Sequence, residues 1–282
     1  MKKILGILGG MGPAATADLY AKIVAMTEAS SDREHIRTII DSNVNIPDRT
    51  AAILMGGENP LEEMEAALDN LVCAGAEVII IPCNTAHYFL PALKEYAETE
   101  YATDRIADNT KKHERCDAGG LTFISMIEET AKACAKRNPQ RAAILATKGT
   151  LESGLYQRAL DAQGVEYIVP DEDGKGILMH VIYQGVKAGA DPSTYLPGFR
   201  ELLDRLAEQG ADYFMLACTE LPIAFAQLME TEGMHAAKDF DVPPEASKAA
   251  ASDEAARYST IDPTEELAKS AITACGYQLK HN

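Results

Sequence analysis

Two cysteines, Cys83 and Cys218, stand at corresponding points of an internal repeat and are suited to proton transfer. Each follows a short apolar run and begins the next predicted helix. The dipole and the N–H groups at a helix N-terminus favour thiolate, so we expect a lowered pKa at both thiols. A thiolate and a thiol on opposite faces of a tetrahedral carbon can remove and return a proton, which is the chemistry of racemisation.

The repeat extends well beyond the cysteines. From Leu68 through Cys83 the matches to the second half fall at a constant shift of 135 residues, the spacing of the two cysteines. Both halves carry a Gly-Ala-acidic turn before the apolar run that ends at the cysteine. All βα units look somewhat alike, but a run that matches at one fixed shift favours a duplication.

Short apolar runs bounded by Gly or Pro alternate with amphipathic stretches, a pattern typical of βα units around a mostly parallel sheet. The predicted strands are Lys3–Leu8, Thr38–Ser42, Val78–Pro82, Arg141–Ala146, Glu166–Val169 and Tyr213–Ala217. The predicted helices are Pro13–Ala29, Leu61–Ala74, Thr85–Ala97, Ile127–Arg137, Glu152–Gln163, Gly174–Ala188, Leu196–Gln209 and Pro263–Cys275. We therefore predict an α/β fold of two pseudo-symmetric lobes, each a mostly parallel sheet flanked by helices, with the active site between the lobes.

The first lobe is predicted to comprise residues 1–120 plus 223–282, closed by the C-terminal helix, and the second lobe residues 121–222. Polar inserts at 98–120 and 231–260 interrupt the pattern, each just after the helix that follows a cysteine. That helix carries the chain to the opposite end of the sheet. We therefore expect the inserts to form surface decoration or subunit contacts, away from the two thiols.

The composition limits the classes of partner. With 46% hydrophobic residues the chain of 282 residues can bury a large core, and a net charge of −17 without a basic run argues against nucleic acid and anionic membranes. None of the six cysteines forms a C-x-x-C pair, and the histidines are scattered, so we expect no metal site and reduced thiols in the cytoplasm. Four glycines before Pro13 argue against a secretory signal, and no apolar run reaches transmembrane length. The cysteines outside the repeat pair are expected to be structural: Cys73, Cys116, Cys134 and Cys275.

The residues that follow each cysteine could bind a carboxylate. Asn84 and Thr85 follow Cys83, and Thr219 and Glu220 follow Cys218. They supply hydroxyls, an amide and backbone N–H groups at the start of a helix, which together favour an anion. Helix capping also explains Asn and Thr at these positions, and both roles can hold at once.

Taken together, six motifs resemble the aspartate/glutamate racemase family. They are Gly9-Gly10-Met11-Gly12-Pro13, Ile46-Pro47-Asp48-Arg49, Pro82-Cys83-Asn84-Thr85-Ala86-His87, Ala146-Thr147-Lys148-Gly149-Thr150, Cys218-Thr219-Glu220-Leu221-Pro222 and Ile261-Asp262-Pro263-Thr264. The resemblance implies a two-lobed homodimer without pyridoxal phosphate, metal or other cofactor, with Cys83 and Cys218 as the catalytic pair. It also implies that Met11 and Thr147 contact the substrate.

The same resemblance points to Arg49 and Lys187 as cations that hold the side-chain carboxylate of an acidic amino acid. Arginine can bind a carboxylate bidentately and lysine adds a point charge, a local attraction that a chain of charge −17 otherwise lacks. For Lys187 the alternative is a solvated charge near a helix C-terminus. Glutamate racemases carry His where this chain has Glu220, which favours aspartate and leaves glutamate or a broader range open.

Other functions stay open. Gly10-x-Gly12-x-x-Ala15 with Asp41 matches the dinucleotide-binding fingerprint and would predict an NAD-binding protein, but it leaves the duplicated cysteines unexplained. Two thiols also suit a maleate-isomerase-like or hydantoin-racemase-like enzyme. A non-catalytic amino-acid binder would carry the same binding residues.

Overall fold

The computed structural model describes residues 2–101, 120–231 and 258–280. The chain divides into two compact units, Met1–Glu129 with Thr264–Asn282, and Thr130–Pro263. Each unit contains a four-stranded parallel sheet flanked by helices, which confirms the predicted α/β class. Most of the two predicted inserts, at 102–119 and 232–257, lies outside the described residues.

The sheet of the first unit has the order β2-β1-β3-β4. Its strands are β1 (Leu5–Gly9), β2 (Thr38–Ser42), β3 (Val78–Ile80) and β4 (Thr122–Phe123). The helices are α1 (Pro13–Met26), α2 (Arg49–Leu54), α3 (Leu61–Cys73), α4 (Leu90–Glu100), α5 (Met126–Arg137), which crosses into the second unit, and the C-terminal helix Pro263–Ala274. Every residue of β1 and β3 is buried, because apolar side chains cover both faces of a parallel sheet.

The sheet of the second unit has the equivalent order β6-β5-β7-β8. Its strands are β5 (Ala142–Ala146), β6 (Tyr167–Ile168), β7 (Tyr213–Ala217) and β8 (Ser259–Ile261). The helices are α6 (Lys148–Glu152), α7 (Leu155–Asp161), α8 (Glu172–Met179), α9 (Leu196–Glu208) and α10 (Leu221–Thr231), and α8 continues as a π-helix over His180–Val186. Phe199 of α9 packs with Phe214 of β7 in the core of this unit.

The two sheets also agree in detail, as a duplication requires. In the first unit the Glu77 carboxylate accepts the N–H of Ile4, at 3.0 Å, just before β1. In the second unit the Asp212 carboxylate accepts the N–H of Arg141, at 2.9 Å, just before β5. Glu77 and Asp212 are the acidic residues of the two Gly-Ala-acidic turns recognised in the sequence repeat.

Strand order places the cysteines where α/β proteins bind ligands. In each sheet the order reverses between the two inner strands, and ligands bind beyond the carboxyl ends of the strands at such a switch point. In the first unit the loop after β1 carries Met11 and the loop after β3 carries Cys83. In the second unit Thr147 follows β5 and Cys218 follows β7.

The second unit extends further than the sequence predicted. Residues 223–231 and 258–263 belong to it, whereas the prediction assigned 223–282 to the first lobe, and residues 121–129 belong to the first unit. β8 pairs with β7, and the ring of Tyr258 packs edge-to-face on Phe214 with 5.5 Å between centroids. The predicted boundary at residue 222 is therefore wrong, because strand pairing and this aromatic contact hold residues 258–261 in the second unit.

Several predicted elements are also corrected. The helix predicted at Thr85–Ala97 is a 3-10 turn at Thr85–Tyr88 followed by α4. The helix predicted at Glu152–Gln163 is α7, which begins only after Gly154, whose φ is +68°; of the predicted range, only Glu152 belongs to α6. The short strands β4 and β8 and the helices α2 and α6 were not among the predicted elements. The helix α10 is the one expected between Cys218 and the second insert, for which no bounds were predicted.

Candidate active site

Cys83 lies between β3 and the Thr85–Tyr88 turn and is 7% exposed. Nδ1 of His87 lies 2.9 Å from the carbonyl oxygen of Cys83, and Nε2 lies 3.0 Å from the backbone nitrogen of Met126. Because the Met126 N–H donates to Nε2, the ring proton is on Nδ1 and is donated to the Cys83 carbonyl. Burial lowers the pKa of His87 to about 4, so the ring is neutral and ties the Cys83 backbone to the start of α5.

The backbone of the loop after β1 lies in close contact with the backbone of the loop after β2. Gly10 has a φ of +91°, and a Cβ there would lie 2.2 Å from the carbonyl oxygen of Asn43, so only glycine fits. The N–H of Gly10 donates to the Thr16 hydroxyl at 2.9 Å, which uses a donor that a dinucleotide phosphate would need. Met11 is buried, and its backbone carbonyl points to Arg49.

Three backbone carbonyls hold the guanidinium of Arg49. Nη1 donates to Ile46 at 3.0 Å and to Pro47 at 2.8 Å, and Nη2 donates to Met11 at 3.1 Å. Within the described residues, the buried Nε has no hydrogen-bond partner. A guanidinium has five N–H donors, so the Nε–H and one N–H of Nη2 remain for a ligand. Arg49 begins α2, which packs against the turn after Cys83.

The hydroxyl and amide side chains that were predicted to bind the substrate are buried in the loops that follow the inner strands. Asn84 and Thr85 are 3% and 6% exposed, and the Asn84 side chain makes no capping bond to the turn that follows it. Thr147 caps α6, since its hydroxyl accepts the N–H of Thr150 at 3.2 Å. Thr147 therefore has a capping role, and its predicted contact with the substrate stays a prediction.

Cys218 directly follows β7 and is 7% exposed. Its Sγ donates to Oε2 of Glu220 at 2.9 Å, and the Thr219 hydroxyl donates to the same oxygen at 3.2 Å. The ammonium of Lys187 lies 3.5 Å from Oε1, the other oxygen of that carboxylate. Glu220 is 8% exposed, so a thiol, a hydroxyl and an ammonium surround a largely buried carboxylate.

Burial, with the adjacent Glu220 carboxylate, raises the pKa of the Cys218 thiol well above its usual range, and Lys187 opposes this shift. The lowered pKa expected from a helix N-terminus is therefore wrong for this thiol. Desolvation and a like charge outweigh the dipole. The N–H of Leu221, which begins α10, donates to the carbonyl of Cys218 at 2.9 Å.

Lys187 follows the π-helix, which packs against α10. Its ammonium also lies 5.0 Å from the ring centroid of Tyr183. Lys187 and Glu220 were both predicted to contact substrate, and here they contact each other. No role was predicted for His87, although its position four residues after Cys83 brings its ring back to the cysteine carbonyl.

The other predictions about chemistry have mixed outcomes. Cys134 and Cys275 are buried, and burial raises their pKa values to about 12 and about 11, as suits structural thiols. Cys73 is exposed, and Cys116 lies outside the described residues. Within the described ranges no three His, Cys, Asp or Glu side chains cluster as metal ligands, and no helix is long and apolar enough to cross a membrane.

Comparison with known proteins places these motifs in one family. The model of the Asp/Glu/Hydantoin racemase family matches residues 8–99 and 116–238. The broad specificity amino-acid racemase RacX of Bacillus subtilis is 26% identical over 230 residues, which cover 77% of this chain and 86% of RacX. The aspartate racemase of Picrophilus torridus is 26% identical with a TM-score of 0.71, covering 99% of this chain and 96% of that chain. An aspartate racemase homologue from Pyrococcus horikoshii has the same fold, with 21% identity, a TM-score of 0.63 and coverage of 97% and 99%.

Proposed function

The chain belongs to the Asp/Glu/hydantoin racemase family, and from this premise we propose that it interconverts L- and D-aspartate without a cofactor. It is an amino-acid racemase, an isomerase by class. The observation that best supports the finer proposal is the duplicated position of the cysteines. Each follows an inner strand at the carboxyl edge of its sheet, in units of the same strand order.

In the proposed reaction both cysteines act on one substrate molecule, from opposite faces of its α-carbon. One thiolate takes the α-proton and becomes a thiol, and the other thiol gives its proton to the opposite face and becomes a thiolate. The charge on the pair is conserved, and the roles exchange when the other enantiomer reacts. Cys83 and Cys218 are the residues we propose for these steps.

Arg49 supports an acidic substrate. Leaving a buried donor unpaired costs about 1–3 kcal/mol, and the Nε–H of Arg49 is such a donor. A side-chain carboxylate that accepts from Nε and Nη2 would satisfy it with charge-assisted hydrogen bonds. Three carbonyls already fix the guanidinium, so little side-chain entropy is lost on binding. Lys187 would add a second cation, shared with Glu220.

Aspartate is the substrate we favour, and a broader range is the second candidate. Glu220 replaces the His of glutamate racemases, and the Picrophilus torridus relative is an aspartate racemase. RacX, a relative of equal identity, is named for broad specificity. We further propose that the protein is a cytoplasmic homodimer.

The experiment that tests this function is loss of optical activity. Purified protein is incubated without added cofactor with L-aspartate, L-glutamate, L-alanine, a hydantoin or maleate, and the circular dichroism or absorbance of each is followed. We expect the L-aspartate signal to decay to zero fastest. Comparable decay of L-alanine would establish broad specificity. A change with hydantoin or maleate alone, or no change in any sample, would contradict the proposal.

A further inference from the structure

The carboxylate beside Cys218 has no counterpart beside Cys83. At the repeat shift of 135 residues Glu220 corresponds to Thr85, so the first cysteine is followed by Asn-Thr and the second by Thr-Glu. The Sγ of Cys218 is a hydrogen-bond donor to Oε2, which requires that the sulfur carry its proton. The two thiols therefore stand in equivalent places with unlike partners.

We propose that Glu220 is a positioning residue that holds Cys218 as the thiol, so that Cys218 is the proton donor of the resting protein. The inference rests on the proposed two-cysteine reaction and adds an order to it. Cys83 then removes the α-proton of the enantiomer that binds the resting form. Cys218 acts as a base only in the complementary form that remains after it has given up its proton.

Elementary acid–base chemistry supports this assignment. A carboxyl group is ordinarily a far stronger acid than a thiol, so a proton shared between them stays on sulfur. Removing it would place a thiolate beside a carboxylate in a site with little water, where like charges repel strongly. Burial is the largest cause of the raised pKa of Cys218, and the Glu220 carboxylate adds to it.

The other groups around the thiol complete the electrostatic picture. Lys187 faces the far oxygen of Glu220 and lowers the pKa of the Cys218 thiol, so it favours the thiolate that forms during turnover. Tyr156 of α7 is a further titratable side chain that interacts electrostatically with Cys218. Burial raises the pKa of Tyr156, and the charges of Asp262 and Cys218 raise it further, so its hydroxyl stays neutral. The Thr219 hydroxyl donates to the same oxygen as the thiol. Glu220 is thus the negative charge nearest to the sulfur among the described residues.

The proton transfer balances with the protein's own groups. In the forward step the S–H bond of Cys218 breaks and a C–H bond forms at the α-carbon, and the S–H electron pair stays on sulfur. The hydrogen bond to Glu220 is lost in that step, while the ion pair with Lys187 remains. In the reverse direction the thiolate takes the α-proton and the bond to Glu220 forms again.

Turnover alone cannot reveal which thiol carries the proton at rest. The equilibrium constant of a racemisation is unity, so kcat/KM must be equal in both directions for every variant. The thiol itself must be titrated. Iodoacetamide alkylation at a series of pH values, with quantification of the peptide that contains Cys218, gives the midpoint of its ionisation, and the Cys83 peptide is the internal reference.

The expected shifts have opposite signs for the two charged partners. Glu220→Gln keeps the shape and removes the charge, so the Cys218 midpoint should fall by about one to three pH units. Alkylation at neutral pH should then rise about threefold per unit, because a weaker base is also a weaker nucleophile. Lys187→Met should raise the midpoint instead. Glu201→Gln, an equal charge change at an exposed site of the same unit, should leave it in place.

The ionisation midpoints of Cys218 in these variants show whether Glu220 holds the thiol protonated. A change in access alone would alter the plateau rate but not the midpoint. An unchanged midpoint in Glu220→Gln, or shifts of the same sign in the Glu220 and Lys187 variants, would overturn the proposal. If Glu220→Gln does not fold, Glu220→Thr, which copies the first unit, must lower the midpoint. The titration needs no turnover, so a shifted midpoint in a protein that fails the optical assay would overturn the proposed function and leave the role of Glu220 standing.

Discussion

The two units share a strand order and a place for a cysteine, but they surround the two thiols differently. Beside the turn that follows Cys83, the fixed charge is a cation, Arg49, bound to backbone carbonyls. Beside Cys218 the fixed charge is an anion, Glu220, bound to the thiol itself. The strand order of each unit therefore sets where its thiol lies, and the side chains near the strand ends give the two thiols different electrostatic surroundings.

The largest expected effect comes from removing either thiol. Cys83→Ala and Cys218→Ala should each lower the racemisation rate of aspartate by about 10²–10⁴-fold, since each deletes one proton-transfer group. Cys73→Ala is the matched control, because Cys73 is exposed and its repeat counterpart is Glu208. Polarimetry of purified variants measures this. If Cys218→Ala racemises at close to the original rate, the units do not share the reaction.

The next effect tests whether the cation of the first unit binds substrate. Arg49→Ala should lower kcat/KM for aspartate. The loss should correspond to several kcal/mol of transition-state binding, about the cost of removing one partner of a desolvated charge pair. Arg49→Lys should also be damaging, because an ammonium cannot keep the carbonyl contacts and present a fork to the carboxylate. Arg33→Lys, at an exposed site, serves as control. An unchanged kcat/KM in Arg49→Ala would remove this residue from the site.

A smaller effect concerns stability and the histidine of the first unit. The pKa of His87 falls from 6.5 to about 4 on folding, so the unfolded chain takes up a proton there first as the pH is lowered. Its contribution to the free energy of unfolding is complete above pH 6.5 and lost between there and about pH 4, on the order of 3 kcal/mol.

Urea unfolding across this pH range checks the point with two variants. His87→Gln should flatten the slope of stability against pH, whereas His180→Gln, at an exposed position, should keep it. A wild-type slope in His87→Gln would show that the ring is not held neutral.

Sequence patterns predicted the scaffold better than its boundaries. Buried parallel strands such as Tyr213–Ala217 are continuous apolar runs, so they could be recognised locally, and the fixed shift of the repeat paired them. The strands β4 and β8 have two and three residues, and only pairing with β3 and β7 defines them. Missing β8 is the reason that the domain boundary was misplaced.

The candidate site was predictable as a set of residues but not as a set of contacts. The cysteines could be singled out by residue type and spacing, and Arg49 by the motif Ile46-Pro47-Asp48-Arg49 that resembles the racemase family. The ion pair of Lys187 with Glu220 joins residues far apart in sequence, and whether a carboxylate beside a thiol faces it or faces solvent is decided by packing. At Cys218, burial and the Glu220 charge raise the pKa of the thiol more than the helix dipole can lower it.

The central claim, that two bases serve opposite faces of one carbon, is tested most directly by deuterium incorporation at early conversion. The protein is incubated with L-aspartate in D₂O, and the α-deuterium content of the recovered L- and D-aspartate is measured by mass spectrometry after separation of the enantiomers. If two bases act, nearly all of the D-aspartate formed should contain deuterium, because a thiol that has exchanged with solvent delivers it. The remaining L-aspartate should keep its original protium. Deuterium entering both enantiomers at equal initial rates, or D-aspartate that retains the original proton, would contradict the account.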